Sequence, residues 1–110
     1  NIPDGARAMA RISSFQLASY VRSHYRLEPV PHMTCRDRNL IGLQSDLLGA
    51  HMTGIRDLLI VTGDPPKLGN NPGASAVYDV DAIGLTHIAS RFNAGLDIGG
   101  VKSGARTEFV

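Results

Sequence analysis

Two short stretches of the sequence place chemically capable side chains directly behind apolar runs. The first carries His32, Thr34, Cys35, Arg36 and Asp37, and the second carries Thr62, Gly63 and Asp64. Asp64 follows four consecutive apolar residues, Leu58 to Val61, and is held between Gly63 and the pair Pro65-Pro66. A carboxylate on so stiff a turn can act on a ligand through its charge, or it can cap a loop or helix. His32 can present a fixed ring N–H to a polar ligand ring or a phosphate, or it can be a buried histidine bonded to a backbone carbonyl. Arg36, Asp37 and Arg38 read as a capping group, with Asp37 as the N-cap of the helix that follows. Cys35 next to Arg36 raises the question of a low-pKa thiol. With no second cysteine and no histidine partner nearby, it reads as a small core residue. His24, His51 and His87 fall on separate predicted helices without the spacing of a metal-binding pair. Gly95 to Ser103 imitates a phosphate loop, but Val101 separates the glycine from Lys102 and the segment follows a helix, so the match fails.

These residues gain meaning from the elements that must hold them. Ala6 to His24 contains neither Pro nor Gly and reads as a helix with a broad apolar face of Met9, Ile12, Phe15, Leu17 and Val21, behind a Pro3-Asp4-Gly5 turn. Pro29 and Pro31 forbid a helix over the next stretch, and the alternation from Val30 to Cys35 suits a short strand with incomplete pairing at its start. Leu40, Leu43, Leu47, Ile41 and Leu48 give a helix from about Asn39 to Thr53, stopped by Gly54. Leu58 to Val61 is the unbroken apolar run of a parallel strand buried on both faces. Lys67 to Ser75 is loop. A third helix starts near Asp79 or Asp81, carries Ile83, Leu85, Ile88 and Phe92, and stops at Gly95. The glycine-rich stretch to Gly104 is irregular, and Thr107 to Val110 opens another strand. Helices alternating with strands in this way predict βαβ units on a parallel sheet, the class in which ligands gather at the carboxyl ends of strands.

Composition narrows the function classes. The chain has 110 residues, 43% of them hydrophobic, and a net charge of +1 from 11 basic and 10 acidic side chains. It reads as one globular unit at most. The basic residues never form a stripe, which argues against a nucleic-acid binder. No apolar run approaches the roughly 20 residues of a membrane span. The single cysteine fits a reducing, cytoplasmic compartment.

The motifs Glu28 to Ser45 (EPVPHMTCRDRNLIGLQS) and Asp57 to Lys67 (DLLIVTGDPPK) resemble methylenetetrahydrofolate reductases. They are more similar still to the reductase half of bacterial bifunctional proteins that also carry a homocysteine S-methyltransferase. Val77 to Leu85 (VYDVDAIGL) extends the likeness over most of residues 1–110. The resemblance implies an α/β fold, part of a TIM (β/α)8 barrel, with this chain covering about strands 3–4 with their helices and the start of strand 5. Residues 1–110 are then a partial barrel domain, incomplete at both ends, since a whole barrel takes about 250 residues.

The family passes a hydride from NAD(P)H to FAD and from the flavin to 5,10-methylenetetrahydrofolate, giving 5-methyltetrahydrofolate. By resemblance His32 contacts the flavin, and Thr62, Gly63 and Asp64 border it. Asp64 is the catalytic candidate: it faces both the flavin and the folate substrate, tunes the ring's charge and favours a cationic form of the folate. Tyr78 and Asp79 fall in the segment that meets the cofactor's nucleotide portion. Single-function bacterial reductases often have Arg where Thr62 stands, and the family's general-acid glutamate lies on a first strand absent from these residues. The 110 residues alone are therefore expected to be inactive, to bind FAD poorly and to self-associate through uncovered apolar surface. Two alternatives stand beside this reading. One is a non-catalytic α/β module for oligomerisation or regulation, and the other is a barrel enzyme that takes an anionic ligand without flavin.

Overall fold

The computed structural model describes residues 1–110. Its regular elements are α1 (Ser14–His24), β1 (His32–Thr34), α2 (Leu40–Met52), β2 (Leu59–Val61) and α3 (Ala82–Asn93), with short 3-10 turns at Ala6–Ala8 and Pro66–Leu68. None of these helices is long and apolar enough to cross a membrane.

β1 and β2 pair in parallel, with His32 opposite Leu59, Met33 opposite Ile60 and Thr34 opposite Val61. The sheet is extended at both edges by single parallel links. Ile2 donates its N–H to Val30 (3.0 Å) and accepts from His32 (2.8 Å) on the free side of β1. Val110 donates to Arg56 (2.9 Å) and accepts from Leu58 (3.0 Å) on the free side of β2. Four parallel segments thus lie side by side in their order along the chain. Doubly wound sheets reverse their strand order, whereas barrels keep it.

Side-chain alternation gives the sheet two unlike faces. Met33 and Cys35 point to the helices and join Leu43, Leu47, Leu85, Ile88, Ala89 and Phe92 in one buried cluster, with Ile60 packed against it. His32, Thr34, Leu59 and Val61 belong to the opposite face, which no helix covers. The molecule is accordingly a slab only 16 Å through its shortest axis, room for one helix layer on one sheet layer. Leu58 to Val61 has the apolar run of a strand covered on both faces, as in a whole barrel; in these 110 residues nothing lies over one side, and Leu59 remains 37% exposed.

Other boundaries also move. The expected helix from Ala6 is broken: Gly5, Arg7 and Ala8 all have left-handed φ of +57°, +58° and +53°. α1 begins only where the Ser13 hydroxyl accepts the Gln16 N–H (3.4 Å). The cap of α2 is Asn39, whose side chain accepts from Gly42 (2.9 Å), while Asp37 is committed to Arg36 instead. Asp81 caps α3 by accepting from Gly84 (2.9 Å). At Gly54, φ of +84° ends α2 in the left-handed conformation that glycine adopts most cheaply.

Candidate functional site

The carboxyl ends of the parallel segments converge on one rim of the uncovered face. The chain leaves the first segment through Pro3-Asp4-Gly5, β1 through Cys35-Arg36-Asp37, and β2 through Thr62-Gly63-Asp64. Between them lies a cleft of about 360 Å³, bordered by Asp4, His32, Thr34, Arg36, Val61, Gly63 and Asp64. A second cleft of about 320 Å³ lies outside it, towards Met9, Arg11, Asp37 and Asn71, and shares Asp4, Gly5 and Arg36 with the first.

Asp4 and Arg38 form the foundation of the rim. Asp4 Oδ2 accepts the Thr34 N–H (2.9 Å), the Thr34 hydroxyl (3.1 Å) and Arg38 Nη1 (2.7 Å). Arg38 Nε also donates to Asp46 on α2 at 2.6 Å. Burial alone would raise the Asp4 pKa; the bonds from Arg38 and Thr34 outweigh it and hold the carboxyl below its usual range. Arg36 lies beside this group with 5% of its side chain exposed, paired to Asp37 through Nε (2.8 Å) and Nη2 (2.8 Å). The Asp37 hydrogen bond, offset in part by burial, raises the pKa of that guanidinium further.

Asp64 differs from its acidic neighbours. Asp4 is paired with Arg38 and Asp37 with Arg36, but the Asp64 carboxylate has no ion-pair partner and accepts only the backbone N–H of Arg7 (3.0 Å). One negative charge is therefore left facing the cleft. Gly63 brings it there with φ of +98°, and a Cβ at that position would meet Thr34 Cβ at 3.0 Å. His32 is half-buried on the same face; its Nε2 lies 3.3 Å from the Asn1 side-chain oxygen, in place of the expected carbonyl partner. Cys35 is fully buried in the core, and burial pushes its thiol pKa up.

The remaining sequence candidates sit around this rim in other company. The Thr62 hydroxyl accepts the Ala82 N–H (3.1 Å) at the start of α3. Asp79 Oδ2 accepts the Leu40 N–H (2.9 Å) at the start of α2. The Tyr78 hydroxyl donates to the Gly63 carbonyl (3.0 Å). The structure thus brings His32, Gly63 and Asp64 to one cleft, and places Thr62, Tyr78 and Asp79 where they tie helices and loop to it.

In the sequence Pro3-Asp4-Gly5 reads only as a turn and Arg38 only as part of a capping group; their pairing is not visible there. A signal for Asp4 alone was present in outline: Ile2 followed by Asp4 repeats the order of an apolar strand residue and then a carboxylate seen at Val61 and Asp64.

The residues suit a planar heteroaromatic ring such as a flavin. The cleft volume is within the usual range for ligand pockets. Val61 offers an apolar wall, the His32 ring a polar edge, and Asp64 an unpaired acceptor for a ring N–H.

Comparison with curated proteins and with solved structures gave no match. A family model described as methylenetetrahydrofolate reductase matches residues 1–99, nearly the whole chain, and the chain belongs to that family.

Proposed function

We propose, from membership of the methylenetetrahydrofolate reductase family, that these residues form one wall of an FAD-dependent active site. There NAD(P)H is the hydride donor and 5,10-methylenetetrahydrofolate the acceptor. The family carries the TIM-barrel fold and the reductase-type activity. On our reading residues 1–110 are the part of that barrel around strands 3–4, from the end of strand 2 to the start of strand 5. The sequential order of four parallel segments and the helix-free face, which becomes the barrel interior, support this.

The observation that carries the reading is the unpaired Asp64 carboxylate at the cleft formed by the strand ends. Bound FAD would supply the two-electron carrier between nicotinamide and folate. The chain's own residues supply orientation and field. His32 and Asp64 would hold the edge of the ring system, Gly63 lets the backbone approach it closely, and Asp64 disfavours additional negative charge on a reduced ring. The same carboxylate favours a cationic folate in the adjoining space. Thr62, Tyr78 and Asp79 complete the cofactor-facing rim, each also anchored to the scaffold.

We read the homocysteine S-methyltransferase relationship from the same two motifs, Glu28 to Ser45 and Asp57 to Lys67, and the isolated 110 residues as inactive. Absorption spectra of the barrel-length protein test the main reading. Flavin bands that bleach on adding NADH or NADPH support it, with Asp64→Asn slowing folate reduction more than bleaching by nicotinamide. A protein that takes up no FAD and shows no bands would refute it.

A further inference from the structure

We infer that Tyr78 is a positioning residue for the Asp64 carboxylate, a proposal whose flavin test rests on the function proposed above. Tyr78 has left-handed φ of +44°, a conformation that bulky side chains adopt only when their surroundings enforce it. The enforcement is visible on both sides. The Val77 N–H donates to the Arg36 carbonyl (2.8 Å) and the Tyr78 N–H to the Cys35 carbonyl (3.3 Å), so the segment is laced to the end of β1. The Tyr78 ring packs against the main core, which fixes the direction of its hydroxyl.

That hydroxyl donates to the Gly63 carbonyl at 3.0 Å, and Arg36 Nη1 donates to the Asp64 carbonyl at 3.2 Å. Two successive carbonyls of the turn are thus held by groups that are themselves tied to β1. The arrangement matters because Gly63 has no side chain to resist rotation, and glycine accepts either sign of φ. Without the hydroxyl, the turn loses one of these two ties and Arg36 alone restrains it, so the carboxylate spends more time away from the Arg7 N–H. Tyr78 reaches no free polar atom of the cleft directly; it acts through the direction it imposes on Asp64.

The test uses Tyr78→Phe, which keeps the ring and its packing, compared with Asp64→Asn and the double variant in the barrel-length protein. In the flavin arm, both single variants raise the midpoint potential of bound FAD, because each weakens the negative field at the ring. The double variant then shifts no further than Asp64→Asn. A Tyr78→Phe potential equal to wild type, or a shift of undiminished size on top of Asp64→Asn, overturns the proposal. The second arm needs no flavin. The Arg7 amide proton resonance moves upfield in Tyr78→Phe, in the direction set by Asp64→Ala, as its acceptor departs. An unmoved Arg7 amide refutes the positioning role. If no variant binds FAD, the functional reading fails on its own, and the amide resonance still decides the role of Tyr78.

Discussion

Replacing Asp4 by Asn should unfasten the rim of the cleft, and the structure sets both its size and its pH dependence. The Asp4 side chain is 9% exposed and its partner Arg38 17% exposed, so the pair is largely withdrawn from water. One oxygen of Asp4 serves two donors of Thr34 and one of Arg38. Removing one member of a buried ion pair costs about 3–5 kcal/mol. Asn retains an acceptor for Thr34, and Asp46 still holds Arg38 at 2.6 Å from a 43% exposed position, so part of the charge remains compensated. A loss of about 2–3 kcal/mol follows, near the range for one or two charged hydrogen bonds. The sign of the pH dependence follows from the lowered pKa. An unfolded aspartate titrates near 3.9, and the folded Asp4 titrates below that. Its contribution is therefore fully present above about pH 5 and is lost as pH falls through the folded value. Urea unfolding of wild type and Asp4→Asn across pH 7 to 2.5 measures it. The gap between them should hold steady down to about pH 5 and narrow below pH 4. A gap that stays constant over the whole range, or one under about 0.5 kcal/mol at pH 7, refutes the reasoning, since surface substitutions already give that much.

Three further outcomes test other parts of the structure. Gly63→Ala, at φ of +98° with Thr34 Cβ 3.0 Å from the new methyl, should destabilise by about 1–3 kcal/mol and disturb the cleft; thermal unfolding reads the loss, and an unchanged midpoint counts against the packing described. Leu47→Ala, in the fully buried cluster between the sheet and α3, should cost about 2–5 kcal/mol in denaturant unfolding. Cys35, buried with a raised thiol pKa, should resist alkylation by iodoacetamide at pH 8 in the native protein and react on unfolding; rapid native labelling would contradict its place in the core.

The parts of this molecule legible in the sequence are those written by neighbours along the chain. Leu40, Leu43 and Leu47 declare α2 by their spacing, the pair Asp79 and Asp81 brackets the start of α3, and the turn after Val61 is visible from Gly63 and the prolines, because period, capping and turn chemistry act within a few residues. The parts that were not legible depend on partners far away. Ala6 to Ile12 has a helical composition, yet its backbone turns left-handed where the Arg7 N–H meets Asp64, 57 residues on. Asp4 looks like part of a turn until Arg38, 34 residues later, is placed beside it. Asp37 is a sound cap by type, but Arg36 claims it first and Asn39 takes the cap.

The same distinction explains why the cleft draws on residues with two duties. Thr62 and Asp79 begin helices α3 and α2 through their side chains, and Tyr78 holds the Gly63 carbonyl, all within the rim that carries Asp64. In a parallel α/β fold each strand end is also the approach to the next helix, so capping groups and ligand-facing groups compete for a handful of positions. This chain divides them by alternation. On β1, Met33 and Cys35 are spent on the helix layer, while His32 and Thr34 turn to the open face. Asp64 is left without a cation because Arg36 and Arg38 are already bound by Asp37, Asp4 and Asp46. Asp64 itself is solvent-exposed, so the fold carries its charge without a cation and leaves it at the mouth of the cleft.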